Sequence, residues 1–250
     1  MEKKFSWGDS HPEFIEVVED EIFGRDCYER IYPVKEGDVV LDIGASIGPF
    51  SWSVIDKASK IIALEPSLDC LPVLEENLKG HSNAFIEKKA LGKWDGRITI
   101  GKIGSFEGGN HYLPESVPTI SFKSLIKKYN LNKIDFIKTD CEGGEYNLFT
   151  DENMPFLLNN VRNIVGEFHL SPDNPLEKIE FRYFRDKYLK QFPNYKVYTV
   201  ADDVDITWSL FKDKPYNSFV NSGDGVWVEQ EQLPFIDYYK QVIIHISNES

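Results

Sequence analysis

Basic residues are the scarce charge in this chain: 28 lysines and arginines stand against 41 aspartates and glutamates, a formal net charge of -13 at pH 7. A negative far field of that size repels a phosphate backbone unless a local basic patch overcomes it. Short basic stretches such as Lys127 and Lys128 read as a solvated helix face, so nucleic acid is an unlikely partner on charge grounds and small molecules or neutral glycans are the easier ones. Cysteine is rare too. Cys27, Cys70 and Cys141 lie far apart and are odd in number, which excludes paired zinc spacing and a disulfide framework; reduced, partly buried thiols are expected. No stretch is apolar and uncharged for the roughly eighteen residues that a membrane span requires. Lys3 and Lys4 are not followed by the apolar segment of a secretory signal, so a cytoplasmic location is expected. There is no repeat, no low-complexity tract and no linker of altered composition, and residues 1–250 are expected to form a single domain with 1–35 as an N-terminal cap.

What the chain does have is an alternation of strand-like and helix-like segments, the pattern of an α/β fold with a mostly parallel, doubly wound sheet and helices on both faces. Apolar runs at Val39–Ile43, 61–64, Ala84–Glu87, Ile134–Thr139 and 164–167 predict five buried strands. Residues 50–58 and 68–79 predict the first crossover helices, the second stopping at Gly80. The long connection 92–133 predicts an inserted hairpin, 97–100 with 118–121, followed by a helix over Phe122–Tyr129. The glycine-rich stretch 101–110 is the candidate flap. Beyond the fifth strand, 176–191 has helical spacing, with Phe181 and Phe184 inward and Arg182 and Arg185 outward. Residues 195–200 read as a strand and 225–228 as a final edge strand.

The most informative segment is Asp42-Ile43-Gly44-Ala45-Ser46-Ile47-Gly48-Pro49-Phe50, a strand end, a turn with two glycines and a helix start. Gly44 and Gly48 let the backbone approach a ligand where a Cβ would collide. A dinucleotide loop needs Gly-x-Gly-x-x-Gly to seat a pyrophosphate, and here the middle glycine is missing. This disfavours a nicotinamide-dependent oxidoreductase, the alternative enzyme reading. Glu65 ends the second strand where a carboxylate can accept both hydroxyls of a ribose, so an adenosine without phosphates fits.

These residues resemble the S-adenosylmethionine motif of class I methyltransferases. The resemblance implies Asp42 near the methionine end, Gly44, Ala45, Ser46, Ile47, Gly48 and Phe50 around the sulfonium, and Glu65 with Pro66 and Ser67 on the ribose. It implies Ala90 and Leu91 on the adenine side.

A second constellation, Asp140-Cys141-Glu142-Gly143-Gly144-Glu145, crowds three carboxylates at the end of the fourth strand, which is costly unless a cation or proton relieves it. Glu167 and His169 follow the fifth strand on one side of it. Asp-x-Glu-Gly-x-Glu, preceded by Ile-Asp-x-x-Lys and followed by Glu-x-His, resembles the FkbM family of O-methyltransferases over roughly residues 39–170. Ser121 and Phe122 stand where such sequences carry Leu-Asp, and Cys141 where an aliphatic residue is common. The family implies methyl transfer from S-adenosylmethionine, giving S-adenosylhomocysteine, to a hydroxyl of a sugar, glycan or natural product. In that chemistry His169 is the expected base, because its pKa lies nearest neutrality. Asp140 is expected to serve both donor and acceptor, with Glu142 and Glu167 beside it. If a divalent cation takes part, Asp140, Glu167 and His169 are the candidate ligands, oxygen-rich and suited to Mg²⁺, Mn²⁺ or Ca²⁺. Glu145 has an equal claim to a structural role, stabilising the start of a helix. His111 in the flap and Phe5, Trp7 and His11 in the cap are weaker candidates for ligand contact. A non-catalytic S-adenosylmethionine-binding scaffold is the reading from a different class, and intact Asp42, Glu65 and Asp140 argue against it.

Overall fold

The computed structural model describes residues 4–101, 114–170, 174–221 and 227–249. The apolar runs form β1 (Val39–Ile43), β2 (Lys60–Leu64) and β3 (Ala84–Glu87), then β4 (Ala90–Gly92), β5 (Gly96–Gly101) and β6 (Pro114–Ser121). Further on come β7 (Ile134–Thr139), β8 (Val161–His169), β9 (Asn194–Thr199), β10 (Tyr216–Asn221), β11 (Trp227–Gln232) and β12 (Gln241–Ser247). Seven of these strands make the central sheet, in the order β3-β2-β1-β7-β8-β12-β9. β1 pairs in parallel with β2 and β7, β2 with β3, and β7 with β8, while β12 runs antiparallel to both β8 and β9.

Both faces of this sheet are covered, which explains runs of apolar residues without alternation. Successive side chains point to opposite faces. Leu41, Ile62, Ile137 and Ile244 therefore join one core, and their neighbours Val40, Ile61, Phe136 and Ile243 join the other. The helices are α1 (Pro12–Val18), α2 (Pro49–Val54), α3 (Leu71–Asn77), α4 (Phe122–Tyr129), α5 (Met154–Asn160), α6 (Pro175–Tyr183) and the single turn α7 (Phe235–Tyr238). α4, α5 and α6 supply Leu125, Leu157 and Phe181 to the first core, whereas α2 and α3 supply Phe50, Val54 and Leu74 to the second. Each such fully buried side chain contributes on the order of 1.5–3 kcal/mol. Cys27, Tyr28 and Val34 extend the second core into the segment before β1.

Several elements depart from expectation. The helix expected over 68–79 starts at Leu71, leaving Leu68 exposed, and the one expected over 50–58 ends at Val54. The helix expected over 176–191 is α6 followed by a π-helical turn, Phe184–Tyr188, and a short 3-10 turn, Leu189–Gln191. That extra winding turns Arg185 inward: it is 1% exposed and paired with Asp186 and Asp213, so the expectation that it faces solvent is corrected. The expected hairpin exists as β5 against β6, with Arg97 opposite Pro118, and β4 pairs in parallel with β6 on its other side. The centre of the candidate flap, with His111, lies outside the described residues. Ser121, which with Phe122 stands where such sequences carry Leu-Asp, caps α4 by accepting from the Ser124 amide. Of the edge strand expected at 225–228, residues 225 and 226 lie outside the described residues; among those described, β11 pairs with β10 in a separate two-stranded sheet, and the last strand to join the central sheet is β12. Among the described residues no helix is long and apolar enough to cross a membrane.

Candidate active site

The parallel strands end on one rim, and the turn after β1 lies at its centre. Gly44 and Ala45 both donate to the Leu64 carbonyl, at 3.0 and 2.9 Å, which ties the turn to the end of β2. Gly44 has φ +77°, and a Cβ there would sit 1.9 Å from the Asp140 carbonyl oxygen, so glycine is required by the approach of β7. Gly48, at φ +90°, would place a Cβ 2.7 Å from Leu74 of α3. Glu65 accepts from the Ser46 amide at 2.8 Å through Oε2 and from the Ser67 amide at 2.7 Å through Oε1. A carboxylate oxygen has two lone pairs, so each keeps capacity for a ribose hydroxyl. Burial raises the Glu65 pKa, opposed by those two donors.

Other residues expected around this turn lie beneath it. Asp42 is fully buried, accepting from Ser51 Oγ at 2.7 Å and lying 3.5 Å from Lys138 Nζ, so it braces the turn from below and offers no exposed surface to a methionine end. Ile47 and Phe50 are core side chains, Phe50 stacked on Phe136 at 5.7 Å, and the Ile47 carbonyl accepts from Asn77 Nδ2 at 2.8 Å. Leu91 is likewise in the core, its carbonyl accepting from Asn147 at 3.2 Å, with half-buried Ala90 beside it at the start of β4.

The acidic segment after β7 faces the glycine turn. Asp140 donates its amide to the Ile43 carbonyl at 3.1 Å, carrying the β1–β7 pairing past the strand ends. Lys138, expected only as part of a pattern, is 5% exposed and donates to the Gly44 carbonyl at 2.8 Å, with Asp140 at 3.8 Å. Burial works against its charge, but Asp42 and Asp140 outweigh burial and its pKa is raised. Glu142 and Gly143 turn the chain with φ +56° and +95°. Glu145, with no exposed surface, holds that turn: its Oε1 accepts from the Cys141 and Gly143 amides at 2.8 and 3.2 Å and lies 3.1 Å from His169 Nδ1. Among the described residues its Oε2 is buried without a hydrogen-bond partner. The other nitrogen of His169, Nε2, lies 3.4 Å from Glu142 and 3.6 Å from Glu167.

These neighbours change the expected role of His169. Burial would lower its pKa, but the bond to Glu145 and the charges of Glu145, Asp140 and Glu142 outweigh that and push it up to about 10. A pKa raised that far favours the imidazolium at neutral pH, a different state from the neutral base expected at this position. Burial and the charge of Asp140 push Glu167 up to about 9, and burial raises Glu142. Glu21, from the segment before β1, is pushed up to about 7 by burial and by Asp140. The donor atoms of Asp140, Glu145 and His169 lie within 4.8 Å of one another, so Glu145 takes the place expected for Glu167 in the candidate cation set.

Tyr28 joins the rim unannounced, its hydroxyl donating to Asp140 Oδ2 at 3.0 Å. Neither Tyr28 nor Glu21 lies in a recognisable motif, and only the fold brings them here. Phe5 and Trp7 do not join: they pack with Phe23 and Trp52 on the outer side of α2, and the Ser6 amide donates to Asn77 at 2.8 Å. His11 caps α1.

A parallel sheet in this strand order, with a glycine turn after β1 and its one antiparallel strand inserted beside β8, is the Rossmann-like fold of class I methyltransferases. The chain belongs to the FkbM methyltransferase family: the model described as the Methyltransferase FkbM domain matches residues 42–193. The chain is also 25% identical over 101 residues to a ribosomal RNA small subunit methyltransferase A of Alkaliphilus oremlandii, covering 40% of this chain and 34% of that protein. Against the same-named protein of Clostridium botulinum it is 30% identical over 76 residues, covering 30% of this chain and 25% of that one. The chain thus spans about a third or less of the curated relatives it matches. Among solved structures it is similar to the FkbM methyltransferase of Methylobacillus flagellatus, at 15% identity and a TM-score of 0.41, covering 63% of this chain and 40% of that one.

Proposed function

We propose that this chain uses S-adenosylmethionine to methylate a hydroxyl of a sugar, glycan or natural-product acceptor, with S-adenosylhomocysteine as product. The observation that carries the reading is the close approach of Gly44 to the Asp140 carbonyl, which brings the glycine turn and the acidic rim together at the ends of β1 and β7, both inside the family-matched residues. S-adenosylmethionine supplies a methyl group activated on a sulfonium; the acceptor oxygen takes the methyl carbon, the carbon–sulfur bond breaks toward sulfur, and the hydroxyl proton must leave.

The residues divide that work. Gly44 to Gly48 offer backbone at close range, with Ala45 and Ser46 in the turn, and Glu65, Pro66 and Ser67 form the ribose side. The rim orients the acceptor and takes its proton: Glu142 and Glu167 flank His169 Nε2, and a positive ligand lowers the pKa of nearby carboxylates, readying one of them as the acceptor. The His169 imidazolium then steadies the developing negative charge on oxygen. Most of the rate enhancement comes from holding oxygen, methyl carbon and sulfur in line.

A divalent cation is a second element of this reading, favoured by the orphaned Oε2 of Glu145. Asp140, Glu145 and His169 would hold it, and it would supply a Lewis acid that lowers the pKa of the acceptor hydroxyl. The His169 proton would have to be displaced first.

The net charge of -13 and the acidic rim favour neutral acceptors over RNA. The test is a screen of sugars, glycan fragments, hydroxylated metabolites and RNA for methyl-donor consumption, with and without chelator, beside calorimetry with S-adenosylhomocysteine and NADH. NADH binding without S-adenosylhomocysteine binding would reinstate the oxidoreductase. Product binding without turnover on any acceptor would leave a scaffold.

A further inference from the structure

The segment before β1 lies outside the family-matched residues and still reaches the acidic rim, where the Tyr28 hydroxyl meets Asp140. Its Tyr28 is 3% exposed, meets Phe50 edge-on at 5.8 Å, and has Lys138 Nζ 5.5 Å from its ring centre. The segment is fastened on both sides of this residue. Arg25 donates to the Val200 carbonyl at 2.8 Å, and Arg25 and Arg30 both pair with Asp203, at 3.1 and 2.8 Å. Glu29 accepts from the Val34 amide and pairs with Lys57, each at 3.0 Å. The tyrosine hydroxyl thus arrives at Asp140 Oδ2 on a fixed backbone.

The strand order then gives this contact a direction. β2, β1 and β7 are consecutive in the sheet, so Glu65, the glycine turn and Asp140 stand in a row along the rim. A donor with its ribose on Glu65 and its sulfur over the turn carries its amino-acid tail toward Asp140. That tail bears an ammonium, and Asp140 is a half-buried carboxylate with 29% side-chain exposure. Lys138 alone would leave Asp140 free to swing, because the two are 3.8 Å apart.

We propose that Tyr28 is a positioning residue for the methyl donor: its hydroxyl holds one oxygen of Asp140, so that the other takes the ammonium of the donor's amino-acid tail. This rests on the reading that the crevice binds S-adenosylmethionine, and the two can fail separately.

The test is calorimetry on the full chain with two probes, S-adenosylhomocysteine and 5′-methylthioadenosine, which share the adenosine and thioether and differ in the amino-acid tail. Tyr28→Phe keeps the ring and removes the hydroxyl. It is expected to weaken S-adenosylhomocysteine about tenfold, as for a lost hydrogen bond to a charged group, and to leave 5′-methylthioadenosine within about twofold. Asp140→Asn should show the same selectivity, and adding Tyr28→Phe to it should cost nothing more. Unchanged S-adenosylhomocysteine binding, equal weakening of both probes, or full additivity with Asp140→Asn would overturn the proposal. If wild type binds S-adenosylhomocysteine but 5′-methylthioadenosine too weakly to measure, additivity with Asp140→Asn decides. If wild type binds neither, the donor-binding reading fails and this proposal with it.

Discussion

Glu145 Oε1 and His169 Nδ1 lie 3.1 Å apart, which bolts the turn after β7 to the end of β8. The same oxygen accepts from the Cys141 and Gly143 amides, so one buried carboxylate sets both the acidic turn and the imidazole ring. Glu145→Ala would leave two amides and an imidazolium without their acceptor. Lost hydrogen bonds to a charged group cost about 1.5–3 kcal/mol each, so destabilisation of at least about 3 kcal/mol in urea unfolding is expected. Glu145→Gln keeps an acceptor oxygen and should cost less. A loss under about 1 kcal/mol for the alanine variant would mean that the turn stands without this residue.

The same bond makes stability depend on pH through His169. Its pKa rises from 6.5 in the ordinary state to about 10 in the folded one. A group raised in this way adds stability in full below pH 6.5, and that contribution is lost as pH climbs through about 10. Melting curves from pH 6 to pH 10 should therefore fall more steeply for wild type than for His169→Asn, with the gap between them closing at the alkaline end. Parallel curves would show that the ring is not held as an imidazolium. For catalysis, His169→Ala should leave S-adenosylhomocysteine affinity within about twofold while turnover falls at least a hundredfold, in line with loss of a positioned charged group. Equal loss of both would move His169 away from the acceptor.

Gly44→Ala tests the close approach of the two halves of the crevice. The added methyl would meet the Asp140 carbonyl at 1.9 Å, and φ at this position is +77°. The obstacle is backbone, which cannot swing aside, so either β7 separates from β1 or the turn deforms. Loss of S-adenosylhomocysteine binding and destabilisation of more than about 2 kcal/mol are expected, well above an ordinary surface substitution. Gly37→Ala is a useful comparison, because that glycine also has positive φ but meets nothing within 4 Å. If both variants behave alike, backbone strain rather than the contact is responsible.

Much of this was legible in the residue order, for reasons that also explain the gaps. β1, β3, β7 and α4 lie where expected, because each is an apolar or amphipathic run closed by polar or glycine residues. β12 was missed although Val242, Ile243 and Ile244 form an apolar run, because nothing local says that a strand near the end of the chain returns to pair between β8 and β9. The rim was legible because carboxylates crowd at strand ends. Its protonation was not: the pKa of His169 depends on Glu145 folding back through a left-handed turn at Glu142 and Gly143. Asp42 and Phe50 are ligand contacts in what the methyltransferase resemblance implies, and the covering of both sheet faces buries their side chains. Tyr28 is 112 residues from its partner Asp140 and carries no periodic or motif signal.

Glu21 and Glu167 supply a prediction about protons that needs no acceptor. Burial and the charge of Asp140 push the first up to about 7 and the second up to about 9, so at neutral pH part of the rim's negative charge is masked by bound protons. A donor bringing an ammonium into the crevice favours the ionised carboxylates and must release some of those protons. Because ionised carboxylates bind the cation better, affinity for S-adenosylhomocysteine should rise as pH climbs from 6 to 8. Calorimetry in buffers of differing ionisation enthalpy should register net proton release near pH 7, and Glu21→Gln should reduce it, since burial and Asp140 push Glu21 up to about 7. Proton uptake on binding, or release undiminished in Glu21→Gln, would place the donor's ammonium away from these two side chains.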